Sequence, residues 1–375
     1  MIQRVYDKLG QFLEPQRVLV LLGSRRVGKT TLLNNFLQQT SVKYLLVSGD
    51  NARVQQILGS HDFSQILPFV EGYQLFAIDE AQQVSGIGRA LKIIVDQVSD
   101  IQVIATGSSA FDIAQAVGEP LTGRKRTLHL YPLSQMELLH EHNKFELQER
   151  LAEYLIYGTY PEVVSTSSRE KKREILEEIT HSYLFKDIVR VELEKGSKLL
   201  LDLLKLLAFQ IGSEVSLTEL ATQLQVNVRT VDRYLYLLEQ AFVIIRLGGF
   251  SRNLRSEVTQ KQKYYFLDNG IRNAVISQFN TLDSRNDIGQ LWENFLFIER
   301  VKKVAYQKIY GNQYFWRTYE QQEIDLVEER DGKLYGYEFK WSGKKEISPP
   351  KDWLATYPDA TFTVITPDNY FDFIT

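Results

Sequence analysis

The chain has 375 residues, which at about 150 residues per domain corresponds to two or three domains. Hydrophobic residues make up 44% and charged residues 24% of the chain, and this composition excludes a disordered or low-complexity protein. The net charge of −3 excludes a global basic field, and the absence of cysteine excludes disulfides, thiol nucleophiles and thiolate zinc sites.

Short apolar runs alternate with helix-length segments in the first region, residues 1–134. Strands separated by helices predict βαβ units, and continuous apolar runs are typical of parallel strands that are buried on both faces. The sequence therefore predicts an α/β core with a parallel sheet. The predicted strands are Arg17–Leu22, Lys43–Ser48, Gln74–Asp79, Ile101–Thr106 and Thr127–Leu130.

A phosphate-binding loop is predicted directly after the first strand. Residues 23–30 read GSRRVGKT, which fits the P-loop pattern G-x-x-x-x-G-K-[ST] at every fixed position. Glycines let the backbone N–H groups face phosphate oxygens, and the helix that follows adds the positive end of its dipole. Lys29 is expected to reach the β- and γ-phosphates of ATP, and the Thr30 hydroxyl to bind Mg²⁺. The predicted nucleotide-binding residues of the loop are Gly23, Ser24, Arg25, Arg26, Val27, Gly28, Lys29, Thr30 and Thr31.

Two acids end the apolar run Leu75–Ile78, as in a Walker B strand. Asp79 is predicted to hold Mg²⁺ and Glu80 to act as the general base that activates water. The next strand leads into residues 106–109, TGSS, where Ser108 is predicted to lie beside the γ-phosphate as a sensor. A further strand between the P-loop and Walker B strands favours the additional-strand class of P-loop NTPases, which includes AAA-type ATPases.

These motifs resemble those of bacterial and archaeal AAA-type P-loop ATPases that carry a C-terminal domain of unknown function. The resemblance extends over nearly the whole chain and rests on Gly28–Thr30, Ile78–Gln82, Thr106–Ser109, Leu121–Arg124 and Tyr131–Ser134. It implies that Arg124 contacts a nucleotide phosphate, either in its own subunit or in a neighbouring subunit of a homo-oligomer.

The middle region, residues 135–249, has helical periodicity and contains two short predicted helices around a turn at Asn227. With the helix before them and the apolar run after them, they resemble a winged helix-turn-helix. If the second helix enters a major groove, Asn227, Arg229, Thr230 and Arg233 would face phosphates or bases. Five acids outnumber four bases in residues 199–247, so packing against protein is an equally open alternative.

The third region, residues 250–375, returns to strand-like runs: Lys263–Leu267, Gln313–Thr318, Glu323–Val327 and Leu334–Trp341. Its layout of acid, strand, turn and E-x-K is similar to PD-(D/E)XK nuclease-like domains, which have a restriction-endonuclease-like α/β fold. In that family the usual proline stands where this chain has Ile324. A degenerate domain that binds DNA or packs without chemistry, and a plain charged strand face, are the alternatives. The similarity implies roles for four residues: Mg²⁺ ligands Asp325 and Glu338, a supporting ligand Glu293, and Lys340 to position water.

The sequence thus predicts an AAA-type core (1–134), a helical segment with a winged helix (135–249) and a nuclease-like domain (250–375). The expected function is ATP hydrolysis with Mg²⁺ that couples nucleotide state to DNA engagement by the C-terminal half. A narrower version adds metal-dependent DNA cleavage. The alternative is a nucleotide-gated signalling protein whose C-terminal domain binds a protein partner. No apolar run is long enough to span a membrane, so a cytoplasmic protein without membrane contact is expected.

Overall fold

Residues 2–108, 121–186, 196–251, 262–318, 320–342 and 347–375 are described by the structure, a computed structural model. Ser109, the last residue of the predicted sensor run, lies outside these ranges. The chain divides into two compact units, residues 3–132 with 240–242, and residues 133–239 with 243–375. Across the ranges given above, no helix has the length and apolar character needed to cross a membrane.

A five-stranded sheet forms the centre of the described part of the first unit, and its strand order is β2-β3-β4-β1-β5. Every neighbouring pair is parallel, which confirms the predicted parallel-sheet core. Strand β4 lies between β1 and β3, as the additional-strand topology requires. The strands are β1 (Val18–Leu22), β2 (Tyr44–Ser48), β3 (Leu75–Asp79), β4 (Gln102–Gly107) and β5 (Lys125–His129).

Helices cover this sheet, and their apolar faces supply its core. Strand β1 is buried at every position, because it lies inside the sheet and is covered on both faces. Parallel pairing brings the carboxyl ends of β1, β3 and β4 to one edge, which is where ligands bind in open α/β sheets. The helices are α1 (Lys29–Gln39), α2 (Ala52–Gly59), α3 (Phe63–Val70) and α4 (Ile87–Gln97), with short 3-10 turns at Leu9–Phe12 and Ala81–Gln83.

The second unit contains a seven-stranded sheet in the order β12-β11-β10-β9-β7-β8-β6 within the described ranges. Strand β7 pairs in parallel with β9, so strands from both sides of the predicted boundary at residues 249 and 250 share one sheet. That predicted boundary therefore falls inside the second unit. The strands are β6 (Glu214–Val215), β7 (Ile244–Gly249), β8 (Gln262–Phe266), β9 (Asn312–Arg317), β10 (Glu323–Arg330), β11 (Lys333–Phe339) and β12 (Thr361–Ile365).

The long helix α14 (Ile288–Gln307) supplies much of the apolar core of this unit, including Trp292, Leu296 and Phe297, each at most 2% exposed. Residues 282–284 form a 3-10 turn. The remaining helices are α5 (Gln135–Leu138), α6 (Lys144–Glu149), α7 (Leu151–Tyr157), α8 (Pro161–Val164), α9 (Arg169–Lys186), α10 (Gly196–Phe209), α11 (Leu217–Leu224), α12 (Val228–Gln240), α13 (Asn269–Val275), α15 (Lys351–Thr356) and α16 (Tyr370–Ile374).

Candidate functional site

The loop between β1 and α1 has the backbone that the P-loop prediction requires. Gly28 adopts φ of 98°, a left-handed conformation that favours glycine, and it immediately precedes α1. At Gly23, a Cβ atom would lie 2.1 Å from the carbonyl oxygen of Leu130, so a larger residue would displace the loop. Val27 is fully buried beneath the loop. The two glycines therefore meet steric requirements as well as the sequence pattern.

Lys29 lies within the loop, with only 4% of its surface exposed. Its Nζ donates hydrogen bonds to the carbonyl oxygens of Gly23 at 2.7 Å and Ser24 at 2.8 Å. The ammonium is thus held at the N-terminus of α1, where backbone N–H groups and the helix dipole favour an anion. Of the other predicted loop residues, Ser24 is buried, Arg25 is half-buried, and Arg26, Thr30 and Thr31 are exposed.

Three elements converge at Asp79, the last residue of β3. The Thr30 hydroxyl of α1 donates to Asp79 Oδ2 at 2.8 Å, and the Thr106 hydroxyl of β4 donates to Asp79 Oδ1. Hydroxyl and carboxylate oxygens are the ligand types that Mg²⁺ prefers. The structure therefore brings together Thr30 and Asp79, the two residues predicted to hold Mg²⁺ beside the P-loop.

Glu80 follows Asp79 in a left-handed conformation, with φ of 51°. Its backbone N–H donates to the Thr106 hydroxyl at 3.2 Å. The side-chain amide of Gln82 donates both to the Glu80 carboxylate and to Ser108 Oγ, the latter at 3.0 Å. Ser108 is 1% exposed and lies 3.5 Å from Glu80 Oε2. The predicted base and sensor thus adjoin, and Gln82, which was not predicted as a site residue, connects them.

Arg124 lies at the other end of the sheet. Its carbonyl oxygen accepts a hydrogen bond from the N–H of Val18, the first residue of β1, whereas the P-loop follows the last residue of that strand. A five-residue strand is about 16 Å long, and the Arg124 guanidinium is paired with Asp96 at 2.5 Å. The structure therefore does not bring Arg124 to its own P-loop, and a phosphate contact would require a neighbouring subunit.

A second charged cluster lies in the second unit, where three of the predicted C-terminal residues meet across two strands. The β10–β11 register pairs Leu326 with Tyr337, and extending it by one residue places Asp325 opposite Glu338. The Phe339 N–H donates to Asp325 Oδ2 at 2.8 Å. Lys340 Nζ lies 2.6 Å from Glu338 Oε1. The carboxylates are thus adjacent, but one of them already has a cationic partner.

Lys263 of β8 is the residue of this cluster that was not predicted. It is 1% exposed, and its Nζ lies 3.3 Å from Glu293 Oε1 and 2.5 Å from Glu323 Oε1. The Tyr265 hydroxyl also donates to Glu293 Oε1, at 2.7 Å. Burial lowers the pKa of Lys263, but the neighbouring carboxylates, first Glu293, outweigh it and raise that pKa above its ordinary value. The lysine therefore stays charged among the acids.

Burial also disfavours the charged forms of the acids. It is the main cause that raises the pKa of Glu293 to about 7, with the nearby Asp325 carboxylate as the second cause. Burial likewise raises the pKa values of Asp325 and Glu338. The cluster is therefore a set of neighbouring buried carboxyl groups, two of which contact a lysine.

The predicted C-terminal metal site stays a prediction. Among the residues that the structure describes, no group of three or more His, Cys, Asp or Glu side chains is arranged to hold a metal ion. Glu293, Asp325 and Glu338 are electrostatic neighbours, but the Lys263 ammonium contacts Glu293 and the Lys340 ammonium contacts Glu338. A lysine ammonium beside a carboxylate offsets negative charge, so these two contacts weaken the attraction of the cluster for a divalent cation.

The comparisons with known proteins agree with the geometry of the first unit. Residues 15–139 match a family described as AAA domain. Residues 148–282 and 288–369 match two families described as domains of unknown function, DUF8612 and DUF4143. The AAA match supports an AAA-type P-loop ATPase. The restriction-endonuclease-like fold of residues 250–375 and the winged helix stay predictions.

Two relatives extend over most of the chain. An uncharacterised protein of Haemophilus influenzae is 29% identical over 320 residues, which cover 79% of this chain and 77% of the relative. An uncharacterised protein of Mycobacterium tuberculosis is 26% identical over 344 residues, covering 91% of this chain and 74% of the relative. The Walker-type ATPase of Pyrococcus abyssi is similar in fold, with a TM-score of 0.50 at 17% identity over 74% of this chain and 96% of its own.

Proposed function

We propose that the chain binds ATP and hydrolyses it with Mg²⁺. The observation that carries this proposal is the convergence of Thr30 and Thr106 on Asp79, next to a P-loop whose lysine lies at a helix N-terminus. Glycine is required sterically at Gly23, because a Cβ there would lie 2.1 Å from the carbonyl oxygen of Leu130. The oxygen ligands of Thr30 and Asp79 and the backbone of the loop both fit a nucleoside triphosphate with its metal ion.

Each residue of the site has a distinct role in this proposal. Lys29 would exchange its two carbonyl contacts for the β- and γ-phosphates, and Thr30 and Asp79 would hold the ion. Bound Mg²⁺ supplies neutralisation of the phosphate charge. Glu80 would orient and deprotonate the attacking water, while Gln82 and Ser108 hold its carboxylate in place.

Two variants separate nucleotide binding from hydrolysis. Lys29→Ala is expected to weaken Mg-ATP affinity by more than about 10-fold, because it removes the cation that faces the phosphates. Glu80→Gln is expected to keep this affinity and to lower the hydrolysis rate by about 100-fold or more, because it removes the base. Lys92→Ala, an exposed lysine of α4, is the matched control. Hydrolysis by Lys29→Ala at the wild-type rate would overturn the assignment.

We propose further that the second unit engages DNA through α12 and that nucleotide state controls this engagement. The element order α10, β6, α11, α12, β7, β8 is the order of a winged helix-turn-helix, and β8 pairs antiparallel with both β6 and β7. Arg229 and Arg233 are exposed and lie one turn apart on α12. Asn227, also proposed to face DNA, instead accepts hydrogen bonds from the Thr230 N–H and hydroxyl, at 2.7 and 3.0 Å, and so caps the helix.

The engagement proposed here does not include cleavage. Lys263 forms an ion pair with Glu293, the predicted supporting ligand of the metal ion, which supports a C-terminal half without nuclease chemistry. A protein partner in place of DNA is the competing outcome.

Binding of a fluorescent DNA duplex at two salt concentrations tests the proposal. Arg229→Ala combined with Arg233→Ala is expected to weaken binding by about 10-fold or more and to reduce its salt dependence, because phosphate contacts release counterions. The control removes two exposed charges of α9, with Arg169→Ala and Lys171→Ala. Equal weakening by both pairs, or no binding by the wild type at low salt, would contradict the proposal and favour a protein partner. Mg²⁺-dependent cleavage would contradict its non-nuclease part.

A further inference from the structure

Arg4 is a buried arginine that joins two distant parts of the first unit. It precedes β1 and is 9% exposed. Its Nη1 donates to the carbonyl oxygen of Val27 at 2.5 Å, and its Nη2 donates to the carbonyl oxygen of Tyr131 at 2.6 Å. Val27 belongs to the P-loop, and Tyr131 follows β5. One guanidinium thus holds the loop to the segment after the last strand of the sheet.

The contact with Val27 fixes the direction of a peptide group that the proposed site needs. In a planar trans peptide, the C=O of one residue and the N–H of the next point in opposite directions. A donor that holds the Val27 carbonyl therefore aims the Gly28 N–H away from Arg4. Successive N–H groups of such a loop bind phosphate oxygens. Arg4 thereby sets the orientation of a phosphate-binding N–H group, although the guanidinium lies on the opposite side of that peptide group.

The position of Arg4 is itself fixed. Its backbone N–H donates to Asp7 Oδ2 at 3.0 Å, and the Asp7 N–H donates back to the Arg4 carbonyl at 3.1 Å. Arg4 Nη1 lies 3.5 Å from the place where a Gly28 Cβ would stand, so the guanidinium packs directly against this residue of the loop. The planar fork of arginine can reach two carbonyl oxygens at once, whereas the single ammonium of lysine is a point donor.

We propose that Arg4 is a positioning residue of the nucleotide site, which aims the Gly28 N–H at the phosphates by holding the Val27 carbonyl. This inference rests on the ATP-binding function proposed above. Its consequence is that Arg4 controls the affinity for nucleotide while contacting no phosphate. The Tyr131 contact anchors the other side of the guanidinium, so that Arg4 connects the loop to the segment that follows β5.

The test measures Mg-ATP affinity by titration calorimetry in the full chain, together with the melting temperature without nucleotide. Arg4→Ala is expected to weaken affinity by about 10- to 100-fold, which corresponds to the loss of a charge-assisted hydrogen bond. Arg4→Lys is expected to be intermediate, since it restores one donor. Millimolar guanidinium ion is expected to restore affinity in Arg4→Ala and to leave Lys29→Ala unchanged. Arg17→Ala, an exposed arginine paired with Glu14, is the matched control.

The outcomes separate this inference from the proposed function. A wild-type chain that binds no Mg-ATP would overturn the proposed function. If the wild type binds and Arg4→Ala binds equally well, only the role of Arg4 is overturned. Weakened affinity that neither Arg4→Lys nor guanidinium restores, with a lowered melting temperature, would assign Arg4 a structural role and also overturn the inference. If Arg4→Ala does not fold, wild-type affinity in a folded Arg4→Lys variant would also overturn the inference.

Discussion

Thr106 serves two residues of the proposed site with one hydroxyl. It donates to Asp79 and accepts the backbone N–H of Glu80, so it fixes both acids relative to each other. Thr106→Val keeps the shape and the β-branched side chain but removes the hydroxyl. We expect the rate of ATP hydrolysis to fall by about 10- to 100-fold, because a buried hydrogen bond is lost on each side. Nucleotide affinity should change by less than about threefold.

Thr106→Ser is the matched control for this prediction, because it keeps the hydroxyl and removes one methyl group. It should hydrolyse ATP within a few fold of the wild type. Steady-state rates and separate titrations with Mg-ATP distinguish an effect on hydrolysis from an effect on binding. Equal rates for Thr106→Val and the wild type would show that the hydroxyl does not organise the acids.

Glu293 gives the second unit a pH-dependent stability. Its pKa is about 7 in the folded chain, against an ordinary value of 4.5, so between these values the folded state holds a proton that the unfolded state has lost. The free energy of unfolding therefore falls as pH rises through this range. Glu293→Gln should remove a decline on the order of 3 kcal/mol between pH 5 and 8.

Urea unfolding followed by tryptophan fluorescence measures this effect, because residues 292, 316, 341 and 353, the four tryptophans of the chain, all belong to the second unit. Glu174→Gln, which changes an exposed glutamate of α9, is the control and should keep the wild-type slope. If Glu293→Gln shows the same decline as the wild type, then Glu293 does not titrate as proposed.

At this scale, the sequence could reveal the residues whose role follows from a local pattern. The P-loop and the pair Asp79 and Glu80 are contiguous with the strands that position them. Arg4 and Lys263 could not be found in this way, because their partners are distant in sequence. The two partners of Arg4 are 23 and 127 residues away, and Glu293 is 30 residues from Lys263. Their signal is a tertiary contact, and a lone basic residue in a sequence does not specify its partner.

Helix α14 and strand β8 share a buried amide side chain, in addition to the contacts of Glu293 with Lys263 and Tyr265. Asn294 is fully buried, accepts the Phe266 N–H at 2.8 Å, and donates to the Phe266 carbonyl at 2.9 Å and to Asn269 Oδ1 at 2.6 Å. Asn294→Ala leaves these groups buried without partners. We expect a loss of about 2–4 kcal/mol in the free energy of unfolding.

Tryptophan fluorescence during urea unfolding again measures the change. Asn280→Ala, at an exposed position of the same unit, should change stability by less than about 0.5 kcal/mol. Equal effects of the two substitutions would mean that the Asn294 contacts do not stabilise the packing of α14 on β8.

The elements of the first unit were accessible to prediction because buried parallel strands are continuous apolar runs. The run Gln74–Asp79 corresponds to β3 and Ile101–Thr106 to β4, each within one residue. Pairing between strands that are distant in sequence could not be predicted in this way. The parallel pairing of Gly248 with Tyr314 joins residues 66 positions apart, and no local pattern encodes it. The same limit applies to Arg124, whose motif does not reveal that it lies at the amino end of β1.

The distribution of tryptophan offers a test of coupling across the whole molecule. The P-loop belongs to the first unit and all tryptophans to the second, so binding at the first unit alters tryptophan emission only if it changes the second. If nucleotide state controls the second unit, saturating Mg-ATP should change emission in the wild type and in Glu80→Gln, which binds without hydrolysing. Lys29→Ala should show no change. Unaltered emission of Glu80→Gln, at ATP concentrations that calorimetry shows to be saturating, would mean that the nucleotide acts within the first unit alone.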